Sequence, residues 1–196
     1  MKEYYDTRAP EYDEWYLGTG LFAARDRPGW DEAFATLARD LAALPPLRTL
    51  DVACGTGFLT RHLPGEVVGL DQSARMLEVA AERLPAARFV RGDAMALPFA
   101  DGEFGRVFTG HFYGHLQPGE RERFLAEASR VAPQLVVVDS ATRHAQAPEQ
   151  LQDRVLNDGS RFQVYKRYFD AAALAAELGG GAVFHETDWF VGIVVS

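Results

Sequence analysis

The sequence predicts an α/β domain: a mostly parallel sheet covered by helices on both faces and ending in an antiparallel hairpin. Three observations carry that prediction. Short apolar strand-like runs alternate with helical patterns along most of the chain, the order that builds a parallel sheet buried on both sides. The segment Leu50-Asp51-Val52-Ala53-Cys54-Gly55-Thr56-Gly57-Phe58-Leu59-Thr60 reads as a buried strand that runs into a glycine turn and then a helix. Two late strand-like runs, Ala182–Thr187 and Trp189–Val195, lie close enough to pair with each other. At 196 residues the chain fits one domain, 1–196, long enough to bury a substantial core.

The elements follow in order. An apolar-periodic helix runs from near Trp30 to Ala43, with Pro28-Gly29 before it and Pro45-Pro46 to stop it. Strands are predicted at Thr49–Ala53, Glu66–Leu70, Arg88–Arg91, Arg106–Thr109 and Gln134–Asp139. Helical patterns near Phe58–His62, Ala74–Leu84 and Glu120–Ala132 separate them, and a further helix at Asp170–Leu178 precedes the Gly179-Gly180-Gly181 turn and the closing hairpin.

Composition narrows the function classes. A net charge of −8 and the lack of basic runs leave no footprint for a phosphate backbone, so no nucleic-acid partner is expected. The apolar runs are short and the first residues have no hydrophobic leader, so no membrane segment is expected and a cytoplasmic location is the default. Cys54 is the single cysteine, which rules out an intrachain disulfide or a cysteine cluster. It reads as a small packing side chain rather than a nucleophile.

Gly55 and Gly57 let the turn after the first strand take backbone angles closed to other residues, and let it approach a ligand closely. A dinucleotide fingerprint would place a third glycine at position 60 and no acid at position 51; the chain has Thr60 and Asp51 instead. Asp51, Asp71 and Asp93 each close a predicted strand on one edge of the sheet, outside which ligands of open α/β sheets bind. Taken singly, Asp71 and Asp93 also read as helix caps.

The pattern Asp-x-Ala-Cys-Gly-Thr-Gly-x-Leu-Thr, followed by Val67-Val68-Gly69-Leu70-Asp71, resembles motifs I and II of the class I S-adenosylmethionine (SAM)-dependent methyltransferases, of the small-molecule, UbiE-like kind. Arg91-Gly92-Asp93-Ala94-Met95-Ala96-Leu97-Pro98-Phe99 resembles a third segment of that family. The resemblance implies a Rossmann-like, seven-stranded sheet and a SAM cofactor that leaves as S-adenosylhomocysteine (SAH). It implies that Ala53, Gly55, Thr56 and Gly57 lie at the methionine end and that Asp51 orders the loop or reaches the amino group through water. Asp71 would accept from both ribose hydroxyls, with Gln72 beside it and Met76 against the adenine, and Asp93 would accept from the adenine amino group, flanked by Gly92, Ala94 and Met95. Phe104-Gly105-Arg106-Val107 departs from the family, which often carries aspartate where Gly105 stands.

The stretch Thr109-Gly110-His111-Phe112-Tyr113-Gly114-His115 follows the fourth strand, where this family borders the methyl group. It has neither the Asp/Asn/Ser-Pro-Pro-Tyr/Phe motif of the enzymes that methylate amino groups of DNA and of protein glutamine nor a Pro-Cys nucleophile for cytosine C5 chemistry, so those two substrate classes drop out. His111 and His115 are the candidate catalytic residues, His111 also touching the cofactor, and a histidine near neutral pKa suits proton removal. The other reading has His115 packed beneath the site. A His-x-x-x-His pair also fits zinc, but with no third ligand evident no metal is expected.

Tyr4-Tyr5-Asp6-Thr7-Arg8-Ala9-Pro10-Glu11-Tyr12-Asp13 resembles the stretch that opens many small-molecule members, in which residues 1–28 would form an N-terminal lid with Tyr12 on the cofactor. An ordinary amphipathic helix is the competing reading. Residues 140–168, with Arg143, His144, Arg154, Arg161 and Tyr165, form the acceptor-side segment, their arginines either receiving a carboxylate or phosphate or lying solvated. The expected function is in-line methyl transfer to a small-molecule acceptor; the alternative is a SAM- or SAH-binding regulatory partner without turnover. Monomer and homodimer both remain open.

Overall fold

The computed structural model describes residues 2–196. Its strands are β1 (Thr49–Val52), β2 (Val67–Asp71), β3 (Arg88–Arg91), β4 (Arg106–Gly110), β5 (Gln134–Ser140), β6 (Glu149–Val155), β7 (Arg161–Arg167), β8 (Ala182–Glu186) and β9 (Phe190–Val195). The helices are α1 (Lys2–Arg8), α2 (Glu14–Leu17), α3 (Trp30–Ala42), α4 (Ala74–Arg83), α5 (Pro118–Val131) and α6 (Ala171–Glu177). Seven strands form one sheet in the order β3-β2-β1-β4-β5-β9-β8, parallel from β3 to β5, with β9 running antiparallel between β5 and β8. The strand order reverses between β1 and β4, so the crevice for a ligand opens at their carboxyl ends.

Alternation along each strand feeds two cores. Val107 and Val137 face one side, with Phe124, Ala128 and Val131 of α5 and Leu174 of α6; Phe108, Val136 and Val138 face the other, with Trp30, Ala33, Leu37 and Leu41 of α3. Covering both faces explains why the central strands read as nearly continuous apolar runs. Among the described residues no helix is long and apolar enough to cross a membrane.

Two elements differ from expectation. The helix expected at Phe58–His62 is a single 3-10 turn, Thr60–His62, cut short by Pro64-Gly65, where Gly65 holds φ 89°. Residues 140–168, the expected acceptor-side segment to which no element was assigned, contain a separate two-stranded antiparallel sheet, β6 on β7, whose turn places Gly159 at φ 84°. This hairpin packs over the loop after β4 through His115, whose Nδ1 lies 2.6 Å from the Tyr165 carbonyl.

Candidate functional site

Two non-glycine residues hold a left-handed φ, and both stand at the reversal point: Ala53 (58°), just beyond β1, and His111 (57°), just beyond β4. Such backbone costs about 1–2 kcal/mol per residue and persists only where the surroundings enforce it. Between these two corners the turn continues through Gly55 (φ 55°), whose amide donates to Asp71 Oδ2 at 3.0 Å. Asp71 Oδ1 accepts from the Ser73 amide at 2.8 Å, and the Ser73 hydroxyl in turn caps α4 by accepting from the Met76 amide at 3.2 Å. The last residue of β2 thus fixes the glycine turn and the start of α4 together.

A cleft of about 180 Å³ opens above these strand ends. Ala53, Gly55, Asp71, Gln72 and Met76 line one side of it, and Gly92, Asp93, Ala94 and Met95 the other. Tyr12, His111 and His115 border it as well. Asp71 and Met76 are buried, whereas Gln72 and Asp93 are exposed at the rim, and Asp93 Oδ1 accepts from the Met95 amide at 2.9 Å.

Of the residues expected at the cofactor, Asp51, Thr56 and Gly57 do not line this cleft, and Asp51 orders the loop, one of the two roles expected of it. Asp51 Oδ2 accepts from the Thr60 hydroxyl at 2.6 Å, Thr56 donates to Asp13 Oδ1 at 2.6 Å, and a Cβ on Gly57 would lie 3.3 Å from Leu84. Burial pushes the Asp51 carboxyl up to about 7, against the pull of the Thr60 bond, and burial raises Asp71 too. Among the described residues neither carboxylate has a cationic side chain as an ion-pair partner. Cys54 is buried and its thiol is raised well above its usual range, in keeping with packing.

The amino-terminal segment lies across this cleft and is pinned at two points. Asp6 Oδ1 accepts from the Ser73 hydroxyl at 2.6 Å, and Asp13 holds both Thr56 and the Arg83 guanidinium. The tyrosine before each aspartate, Tyr5 and Tyr12, turns into the cleft.

A second, larger cavity of about 660 Å³ adjoins the first under β6 and β7, and Tyr5, Tyr12, His111 and His115 line both. His111 lies edge-on to Trp15, with ring centroids 4.9 Å apart, and its Nδ1 is 3.4 Å from the Ser140 hydroxyl. His111 Nε2 is buried without a partner among the described residues, a costly state unless a ligand meets it. For His115 the Tyr165 carbonyl can only accept, so Nδ1 carries the proton and Nε2 keeps a lone pair. Burial lowers His111 to about 4 and His115 to about 3, so both are neutral at pH 7 and neither has the near-neutral basicity expected from sequence. Beneath them Asp139 is paired with Lys166 and accepts from the amides of Gly114 (2.8 Å) and Ser140 (2.7 Å), which holds its carboxyl below the usual range despite burial.

Comparison with known proteins agrees with this geometry. A family model described as a methyltransferase domain matches residues 49–134. The demethylmenaquinone methyltransferase of Thermotoga maritima is 40% identical over 91 residues, 44% of this chain and 39% of that protein. Its counterpart from Thermus thermophilus is 38% identical over 143 residues, 67% of this chain and 61% of that protein. A solved DhpI-SAM-HEP complex superposes with a TM-score of 0.77 at 27% identity, covering 98% of this chain and 94% of that one. The chain is thus similar to methyltransferases over residues 49–134 in sequence and over nearly its whole length in fold. It spans less than two thirds of the length of the curated relatives named here.

Several residues lining the two spaces escaped sequence reasoning. Phe112, Leu116 and Glu120 border the smaller cleft, and Arg8, Arg25, Arg27, Lys166 and Tyr168 the larger. Of the acceptor-side residues singled out, His144 and Arg154 line the larger cavity, whereas Arg143 pairs with Asp188 at 3.2 Å and Arg161 and Tyr165 stand off it. Arg8 and Lys166 are buried cations, and that signal becomes visible only with coordinates.

Proposed function

We propose that this chain binds SAM in the smaller cleft and transfers its methyl group to a small molecule seated in the larger cavity. The observation that carries the reading is the shared wall: Tyr5, Tyr12, His111 and His115 face both spaces. The residues also fit the cofactor's charge, since Asp71, on the cleft, is a buried carboxyl without a cationic partner and SAM carries an ammonium and a sulfonium.

Asp71 takes the ribose hydroxyls on the lone pairs left over from Gly55 and Ser73, each charge-assisted bond contributing roughly 1.5–3 kcal/mol. Met76 supports the adenine, and Asp93 meets its amino group at the rim. Asp51 acts through the turn it fixes with Thr60. Residues 1–28 serve as the lid, pinned by Asp6 and Asp13, and Tyr5 and Tyr12 exclude water from the reacting atoms.

When bound, SAM supplies an electrophilic methyl whose bond to sulfur breaks as the acceptor's lone pair bonds to carbon, SAH being the leaving group. His111 Nε2 orients the acceptor. Where the acceptor atom carries a proton, His115 Nε2 is the open lone pair to receive it once methylation has made that proton acidic. So weak a base contributes little, and alignment supplies most of the rate, an effect worth about 7–11 kcal/mol in well-oriented systems.

The test is release of SAH from SAM across a panel of small oxygen, nitrogen and carbon nucleophiles. Steady turnover with at least one of them is the expected result. Tight SAH binding without turnover on any of them would favour a binding partner over an enzyme.

A further inference from the structure

We propose that the acceptor is an anion, its carboxylate or phosphate-type group held by Arg8, Arg25, Arg27 and Arg154 in the larger cavity; this rests on the methyl-transfer reading of that cavity. The four arginines come from three places in the chain, α1, the loop before α3 and strand β6, and converge on one space. In a chain of net charge −8, such a gathering of cations runs against the composition.

None of the four forms an ion pair with a carboxylate among the described residues, although twelve other lysine and arginine contacts with carboxylates do occur among them, from Lys2 with Asp6 to Arg167 with Glu177. Arg8 instead bonds the Tyr4 hydroxyl and lies 4.9 Å from the Tyr12 ring centroid, Arg27 donates to the Trp15 carbonyl at 2.6 Å, and Arg154 donates to Gln152. Arg25 rests 4.6 Å from the Phe22 ring centroid, and burial together with the charges of Arg154 and Arg8 lowers its pKa. Lys166, the fifth cation on the cavity, is neutralised by Asp139.

Two carboxylates, Asp26 and Asp153, also line the space, and neither pairs with these arginines. Arg154 and Arg8 therefore repel Arg25 with no ion-paired carboxylate to offset them, while Arg27 is partly offset by the charge of Asp31. A planar or tetrahedral oxyanion would relieve that repulsion, and the guanidinium fork is suited to binding it through paired bonds. A cavity of about 660 Å³ leaves room for the rest of a small molecule reaching the wall of His111 and His115.

The test is calorimetric titration of inorganic phosphate, and separately of succinate, into the protein saturated with SAH, with sodium chloride at matched ionic strength as the control. Binding of either oxyanion above the chloride control, weakened about tenfold or more in both Arg25→Gln and Arg154→Gln at unchanged SAH affinity, is the expected result. The stronger of the two names the group. Oxyanion binding no better than chloride while SAH still binds would overturn the acceptor class and leave the cofactor reading standing. Equal oxyanion binding in wild type and both variants would place the anion elsewhere and overturn it as well. Failure of SAH to bind would remove the cofactor reading and this inference with it.

Discussion

Asp51 and Asp71 are two residues with the same side chain, twenty positions apart, and the fold gives them different work. Asp71 ends β2 and faces the cleft, while Asp51 lies within β1 and turns under the loop to hold Thr60. Burial keeps Asp51 protonated up to about pH 7 in the folded state, whereas the unfolded carboxyl gives up its proton near pH 4. A group raised in this way stabilises the fold at low pH and loses that contribution as pH rises from about 4 through about 7. Asp51→Asn keeps an acceptor for Thr60 and removes the titration. Between pH 5 and 8 the wild type is expected to lose about 2 kcal/mol of unfolding free energy relative to the variant, read from paired denaturant curves. Parallel pH profiles would contradict the placement of this proton. The left-handed backbone at Ala53 and His111 belongs to the same scale: neither residue type announces it in sequence, and only the corners after β1 and β4 reveal why both positions crowd the cleft.

Among the elements, the amino-terminal segment contributes most beyond the sheet. Its repeated Tyr-Asp pairs, Tyr5-Asp6 and Tyr12-Asp13, act alike, each tyrosine entering the cleft and each aspartate clasping a cofactor-side element. Asp13→Ala frees Thr56 and Arg83 together. It is expected to weaken SAH binding about tenfold and to speed proteolysis within the first 28 residues, with α3 and the sheet left folded. Unchanged affinity and unchanged cleavage would show the segment to be packing alone. The competing readings from sequence, lid and packed helix, were indistinguishable because Tyr4, buried on Phe162, packs while Tyr5 beside it lines the cleft. The β6–β7 hairpin was legible in one place only: Asn157-Asp158-Gly159, a hairpin-turn signal flanked by strands too polar to be read as strands. Their alternation of exposed and half-buried positions follows from packing one face on the cavity and leaving the other in water.

At the scale of the whole molecule, the parallel sheet with its closing hairpin and the cleft at the strand ends were legible in the sequence because they rest on local signals: a glycine turn, acids at strand ends, alternating elements. The larger cavity was not, because Arg8, Arg25, Arg27 and Arg154 are scattered along the chain and meet only after the amino-terminal segment folds back onto β6. The basicity of His111 and His115 was hidden for a related reason, since burial under β7 and beside Trp15 sets it. All of this depends on the smaller cleft being a SAM site centred on Asp71. Calorimetric titration of the ligand-free protein with SAH, beside Asp71→Ala and with NADH as a control, tests that claim most directly. The account predicts micromolar SAH binding to the wild type, weakened at least about tenfold in the variant, and none of NADH. SAH binding untouched by the substitution, or NADH bound in its place, would contradict it.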